Sequence, residues 1–180
     1  MKKITKILSL GLLILFVCTL QLSAQKCKFD YNKKDPITDE PSKGNTVTLS
    51  TFAGGFSVGP ACKIGFNRTG DKFHMGMVIV YRLSTREYIQ KGDPIIFKLS
   101  NGEIVTIYSQ DEYSPVAQAA QGVIFSQYAA KYFLDAATLQ KIAENNPTFF
   151  RMSIGSMIFE KELPAKTGKE ISQAAACILQ

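Results

Sequence analysis

Hydrophobic residues change period several times along the chain, and each change predicts an element. Ile7 to Leu20 is an unbroken run of 14 residues with no charge, preceded by Lys2, Lys3 and Lys6 and followed by Leu22-Ser23-Ala24 ahead of Gln25. A run this short falls below the roughly 20 residues of a membrane-spanning helix, and its basic flank and small-residue end mark a cleavable export signal over 1–24. Between 25 and 45 large apolar residues are sparse among Lys, Asp, Pro, Ser and Asn, the pattern of an extended lead-in. Thr46 to Phe52 then alternates with β-branched residues, and Cys62 to Asn67 reads as a second strand ending at the turn Thr69-Gly70-Asp71. Phe73 to Leu83 reads as a longer strand. Its centre, Met77 to Tyr81, is continuously apolar and predicts cover on both faces.

Pro94 to Ser100 and Glu103 to Tyr108 flank Asn101-Gly102, a pair suited to the positive φ of a type I′ turn, which predicts a two-residue hairpin. In that register Leu99 faces Ile104, Phe97 faces Thr106 and Ile95 faces Tyr108, with Ile96 opposite Ile107 on the reverse side. Gln121 to Leu134 contains a further strand, and Thr148 to Glu162 reads as one long strand. Asp135 is placed to cap a helix in which Leu139, Ile142 and Ala143 share a side, and Asn145-Asn146-Pro147 ends it. Thr167 and Glu170 have capping-box spacing, and Ile171, Ala174, Ala175 and Ile178 follow at the spacing of one helical stripe. The expected fold is an α+β domain over 46–180. It has a mostly antiparallel sheet of about six or seven strands, with helices near 135–145 and 167–179 on one face.

The export signal distorts the apparent charge. The 180-residue chain has a formal charge of +6, but the signal holds three lysines and no acid. The remaining 156 residues carry eighteen basic and fifteen acidic side chains, a formal +3. The basic residues are scattered along the sequence, so no nucleic-acid footprint is expected. Lys26, Lys28, Lys33 and Lys34 form a cluster that reads as a solvated tail. Cys18 lies inside the signal behind Phe16-Val17, which lack the small residue of a lipid-attachment site. Cys27, Cys62 and Cys177 remain, an odd set that allows one internal bridge in an oxidising compartment. Cys27 with Cys177 is the preferred pair, stapling the lead-in to the last helix. Cys27 with Cys62 is the alternative, followed by three buried thiols.

Candidate chemistry is thin. Gly55-Phe56-Ser57-Val58-Gly59 matches the nucleophile elbow G-x-S-x-G, but Pro60 and Gly65 interrupt the helix that must follow, and His74 is the only histidine available. His74-Met75-Gly76-Met77 offers soft metal ligands, yet on a strand the two methionines point away from the imidazole. No Cys or His pair has zinc spacing, so no metal or cofactor is expected. Asp93, Asp111 and Glu112 flank the hairpin and are the only acid set suggestive of a glycosidase. Asn67-Arg68-Thr69 matches the glycosylation sequon, a match common by chance.

The stretch Lys91 to Val105, then Tyr132-Phe133-Leu134, the short Leu139 to Ile142 helix and the strand around Arg151, resembles small exported bacterial envelope proteins of unknown function with a β-rich α+β domain. The resemblance spans roughly residues 75 to 178, and the Ser-Ala-Gln cleavage site is also usual in that group. It implies a stand-alone envelope protein and brings no functional residues with it. The chain ends in a helix without the terminal aromatic of an outer-membrane barrel, so periplasmic retention is expected and extracellular release is the alternative. The expected role is a non-enzymatic binding or accessory domain for an envelope protein or small ligand, with no transmembrane segment after signal cleavage. The alternative is a hydrolase of an envelope glycan or ester using Asp93, Asp111 or Glu112.

Overall fold

The computed structural model describes residues 27–52, 59–120 and 122–180. The expected export signal over 1–24, Cys18 and residues 55–58 of the serine motif lie outside them. The described chain runs β1 (Tyr31–Lys34), β2 (Pro41–Ser50), β3 (Ala61–Thr69), β4 (Lys72–Tyr81), β5 (Pro94–Leu99), β6 (Ile104–Tyr108), β7 (Val116–Ala120), β8 (Val123–Leu134), α1 (Ala136–Glu144), β9 (Pro147–Ile154), β10 (Met157–Glu162) and α2 (Ala165–Leu179). All strand pairings are antiparallel. The large sheet has the order β1-β2-β3-β4-β8-β7 and the small one β10-β9-β5-β6. The chain is therefore α+β and mostly antiparallel, as its pattern predicts, with the ten strands of the described residues divided between two sheets.

Period-two alternation decides what each sheet buries. Val47, Leu49, Ile64, Phe66, Met75, Met77, Ile79, Tyr128 and Tyr132 point inward from the large sheet, while Ile95, Phe97, Val105, Ile107, Phe150 and Met152 do so from the small one. Together with Leu139 and Ile142 of α1 and the Ile171, Ala174, Ala175, Ile178 stripe of α2 they form one continuous core. α2 touches β2 and β3 of the large sheet and β9 of the small one. Asn45 of β2, itself buried, fastens that contact by donating from Nδ2 to the Ala174 carbonyl at 3.1 Å. Cys27 and Cys177 are bonded, with Cα atoms 5.5 Å apart, so the polar lead-in is tied to the last helix. Cys62 stays a free, buried thiol whose pKa burial pushes up to about 12. The lead-in itself supplies β1 and the start of β2.

Four local expectations are corrected. The Asn101-Gly102 hairpin closes over three residues, because the Leu99 amide donates to the Glu103 carbonyl at 2.8 Å and only Gly102 has positive φ, 88°. Phe97 consequently pairs with Val105, Ile95 with Ile107 and Ile96 with Thr106. A one-residue shift exchanges the faces of a strand, so Val105 and Ile107 are buried while Ile104 and Tyr108 are exposed. Burying two β-branched residues against Phe97 and Ile95 outweighs the intrinsic preference of Asn-Gly for the shorter turn. The second correction concerns 148–162, which turns back at Gly155-Ser156 to make β9 and β10. Gly155 sits at φ 54°, and Glu87 accepts a bond from the Ser156 hydroxyl at 3.0 Å. Third, α2 begins at Ala165 behind Pro164, with φ −54°, so Thr167 lies inside the first turn and its box with Glu170 does not form. Asp135 does cap α1, accepting from the Thr138 amide at 2.6 Å, a bond that lowers its carboxyl pKa. Fourth, Val78 in the centre of β4 is exposed, because no described element forms a second layer over the outer face of the large sheet.

Candidate functional site

That uncovered face carries an uneven charge. The strands of the large sheet contain Lys33, Lys34, Lys43, Lys63, Arg68, Lys72 and Lys131, and no aspartate or glutamate. The small sheet is mixed, with Lys98, Arg151 and Lys161 beside Glu160 and Glu162. Basic residues scattered in sequence are thus gathered by strand pairing. Alternation and register put Lys33, Lys63, Lys72 and Lys131 on the outer face together with Thr46, Gly65, Asn67, His74 and Gly76. No described acid forms an ion pair with any of these four lysines. A cluster of like charge without internal partners is a surface that attracts anions.

A groove of about 370 Å³ runs across the centre of this face. Its floor is set by one register row in which Thr46, Gly65, Gly76 and Lys131 lie side by side on β2, β3, β4 and β8. Two neighbouring glycines leave the pleat without side chains, and backbone becomes accessible there. Lys63, Asn67, Val78, Tyr113, Ala129 and Lys131 form the walls. Strand spacing and rise place the Lys63 and Lys131 Cα atoms on the order of 12 Å apart, one on each side of the glycine pair. Tyr113 is held at the groove by donating from its hydroxyl to the Lys131 carbonyl at 3.1 Å. Asn67 accepts from the Tyr31 hydroxyl at 2.8 Å, and the Tyr31 ring covers Gly44, so the β1 side of the groove is braced.

His74 sits one row from Gly76 and is half-buried. Burial first, then the neighbouring Lys131 charge, holds its pKa down to about 4, so it is neutral across the ordinary pH range and adds no cation to the face. The Lys131 ammonium lies 5.3 Å from the Phe133 ring centre, which gives the exposed ring a polar neighbour. The groove thus combines an apolar, flat floor with positive walls and amide and hydroxyl donors. It is suited to an anionic molecule with a flat body. A larger cleft of about 440 Å³ lies between β2 and α2, but Lys28 and Glu170 on its rim give it both signs of charge.

The residues singled out from sequence have other places. Met75 and Met77 are in the core and His74 is on the opposite face, so the three do not converge. Asp93 engages its carboxylate in a turn, accepting from the Gln90 amide at 2.8 Å. Ser109 links the two acid-bearing loops, donating its amide to the Asp93 carbonyl and its hydroxyl to that of Asp111, at 3.0 and 2.7 Å. The Asp111 and Glu112 side chains are exposed. Among the described residues no three His, Cys, Asp or Glu side chains group as a metal site. Asn67 of the sequon is engaged within β3 and with Tyr31. Only Cys27 and Cys177 are brought together as expected.

Sequence reasoning missed the cationic face, although a signal existed. Between Pro41 and Arg86 the single acid is Asp71, in a turn, and between Tyr113 and Leu134 there is none. These acid-free runs are the core of the large sheet. No family model matches the chain, and no curated protein or solved structure matches it significantly.

Proposed function

We propose that this is an exported, non-enzymatic binding domain of the bacterial cell envelope, retained in the periplasm, which holds an anionic ligand on the open face of the large sheet. The observation that carries the proposal is the presence of seven basic residues and no acid in six paired strands. The Cys27–Cys177 bond is compatible with an oxidising compartment, and among the described residues no helix is long and apolar enough to cross a membrane. Placement of Asp93 in a turn and of Asp111 and Glu112 on an open loop favours binding over acid–base catalysis. Acidic glycans and anionic lipid headgroups share the required chemistry, a negative group beside a flat or apolar body.

Titration with oligogalacturonate and with phosphatidylglycerol vesicles, followed by calorimetry at low and physiological salt, separates these sources. Binding of one probe is expected, weakening as salt rises. Replacing both Lys63 and Lys131 by Glu is expected to weaken it at least about tenfold. Gly76→Ala is a second variant that spares the fold, since a Cβ there has no neighbour nearer than Asn67 Nδ2 at 3.5 Å, yet it raises the groove floor. Binding unchanged in both variants, or no binding of any anionic probe at low salt, refutes the proposal.

A further inference from the structure

The large sheet ends in an unusual edge. Tyr113 to Ala130 contains no charged residue, and within it β7 is exposed along its whole length. Among the described residues β7 pairs only with β8, and Gly122, just ahead of β8, has φ 75°. Exposed edge strands are templates for further pairing, and proteins ordinarily blunt them with charge, bulges or cover. The other three edges follow that rule. β1 carries Lys33 and Lys34, and β10 carries Glu160, Lys161 and Glu162. β6 is flanked by α1 and β8, with Ser109 bridging to Tyr132. Among the described residues β7 has none of these protections, and Val116, Val123 and Ile124 of its hairpin are 59%, 41% and 50% exposed.

We propose that β7 is a self-association strand, and that its occupant is β7 of a second copy of this chain, paired antiparallel about a two-fold axis. Such pairing sets each residue opposite its own kind or its mirror position, so a charged strand would meet like charge and be penalised. Full overlap of the five residues centres the axis on Gln118. Gln118 then faces its counterpart and can share amide hydrogen bonds, while Ala117 faces Ala119 and Val116 faces Ala120. Small side chains at three of the five positions let the strands approach without clash. Lys131, the nearest cation of the large sheet in sequence, lies beyond the neutral run. The two sheets become one of twelve strands, with the cationic faces continuous across the junction. Five-residue pairing is a small interface, so the dimer is expected to be weak and concentration-dependent.

Sedimentation equilibrium of the oxidised protein, from micromolar to about 1 mM, tests this. A monomer–dimer equilibrium is expected, weakened at least about tenfold when Ala117 and Ala119 are both replaced by Lys, which places like charges face to face. Both positions are exposed, and circular dichroism checks that the variant folds. In a second measurement, Gln118→Cys is expected to give a disulfide-linked dimer under mild oxidation, whereas Lys98→Cys on the small sheet is not. A monomer throughout the range, a dimer indifferent to the lysine pair, or no crosslink at position 118 overturns the proposal.

Discussion

Gly168→Ala sets two effects of opposite sign against each other in α2. Helix propensity alone favours alanine by about 1 kcal/mol, since glycine loses more backbone freedom on folding. Packing opposes it. A Cβ built on Gly168 overlaps the backbone carbonyl oxygen of Pro147 at the start of β9. That carbonyl cannot retreat easily. Pro147 is paired with Leu99 of β5, the Asn146 carbonyl accepts from the Ser100 amide at 2.9 Å, and the Thr148 carbonyl accepts from Leu163 at 2.8 Å. The helix cannot retreat easily either, because Ile171, Ala175 and Ile178 are fully buried and the bond to Cys27 holds its far end. Overpacking by one methyl in a close-packed site costs about 1–3 kcal/mol, and a backbone obstacle belongs to the upper part of that range. The net expectation is a loss of about 1–2 kcal/mol. For a domain of this size that lowers Tm by roughly 2–8 °C. Urea unfolding of the oxidised protein, followed by far-UV and near-UV circular dichroism, measures it, with the exposed Lys169→Ala as the helix control. A Gly168→Ala protein as stable as the parent, or more stable, refutes the reasoning, because propensity would then have won over contact.

Two further predictions concern the whole fold. Replacing Cys27 and Cys177 by Ser opens a loop spanning 150 residues, for which the chain-entropy relation gives about 5 kcal/mol before strain is subtracted; a Tm loss of roughly 10 °C is expected, and a loss below about 2 °C in a scanning-calorimetry comparison would remove the bond from the main supports of the fold. His74 sets a pH window: its folded pKa of about 4 lies below the ordinary 6.5, so the unfolded chain binds the extra proton and stability falls as pH drops from 6.5 towards 4. The slope for one proton is at most about 1.4 kcal/mol per pH unit, less here because the ring reaches solvent. Urea midpoints at pH 7, 6 and 5 should diverge between the parent and His74→Gln, and parallel profiles would dismiss this role. Asp135, whose pKa is lowered by its cap, contributes in the same sense but at lower pH, its stabilisation disappearing only as pH falls through the carboxylate range.

Much of the fold is written in local pattern. Alternation along Thr46 to Leu49 and along Ile95 to Leu99, the cap at Asp135 and the stripe from Ile171 to Ile178 depend on neighbours three or four positions away at most, so they are legible without the fold. Cys27 and Cys177 could be paired by compartment and parity, although two alternatives stood beside them. The hairpin at Asn101-Gly102 shows where local pattern fails. Two turn lengths were available there, and the choice followed from which one buries Val105 and Ile107 beneath β5, a question of tertiary packing. The same holds for β7, whose alanines and glutamine have little strand preference and form a strand because β8 offers them a partner.

By itself, then, the sequence determined the fold class, most strand and helix positions and the cysteine arithmetic, because each rests on short-range periodicity or composition. The candidate site was decided only in three dimensions. Lys63 and Lys131 are far apart in the chain and Gly65 and Gly76 lie on different strands, and nothing local makes them a groove. Antiparallel register sets the two glycines side by side and the lysines on either side of them, while the acids fall in turns and loops, in the helices and on the small sheet. Charge along a chain is a sum, but charge on a face depends on which strands pair.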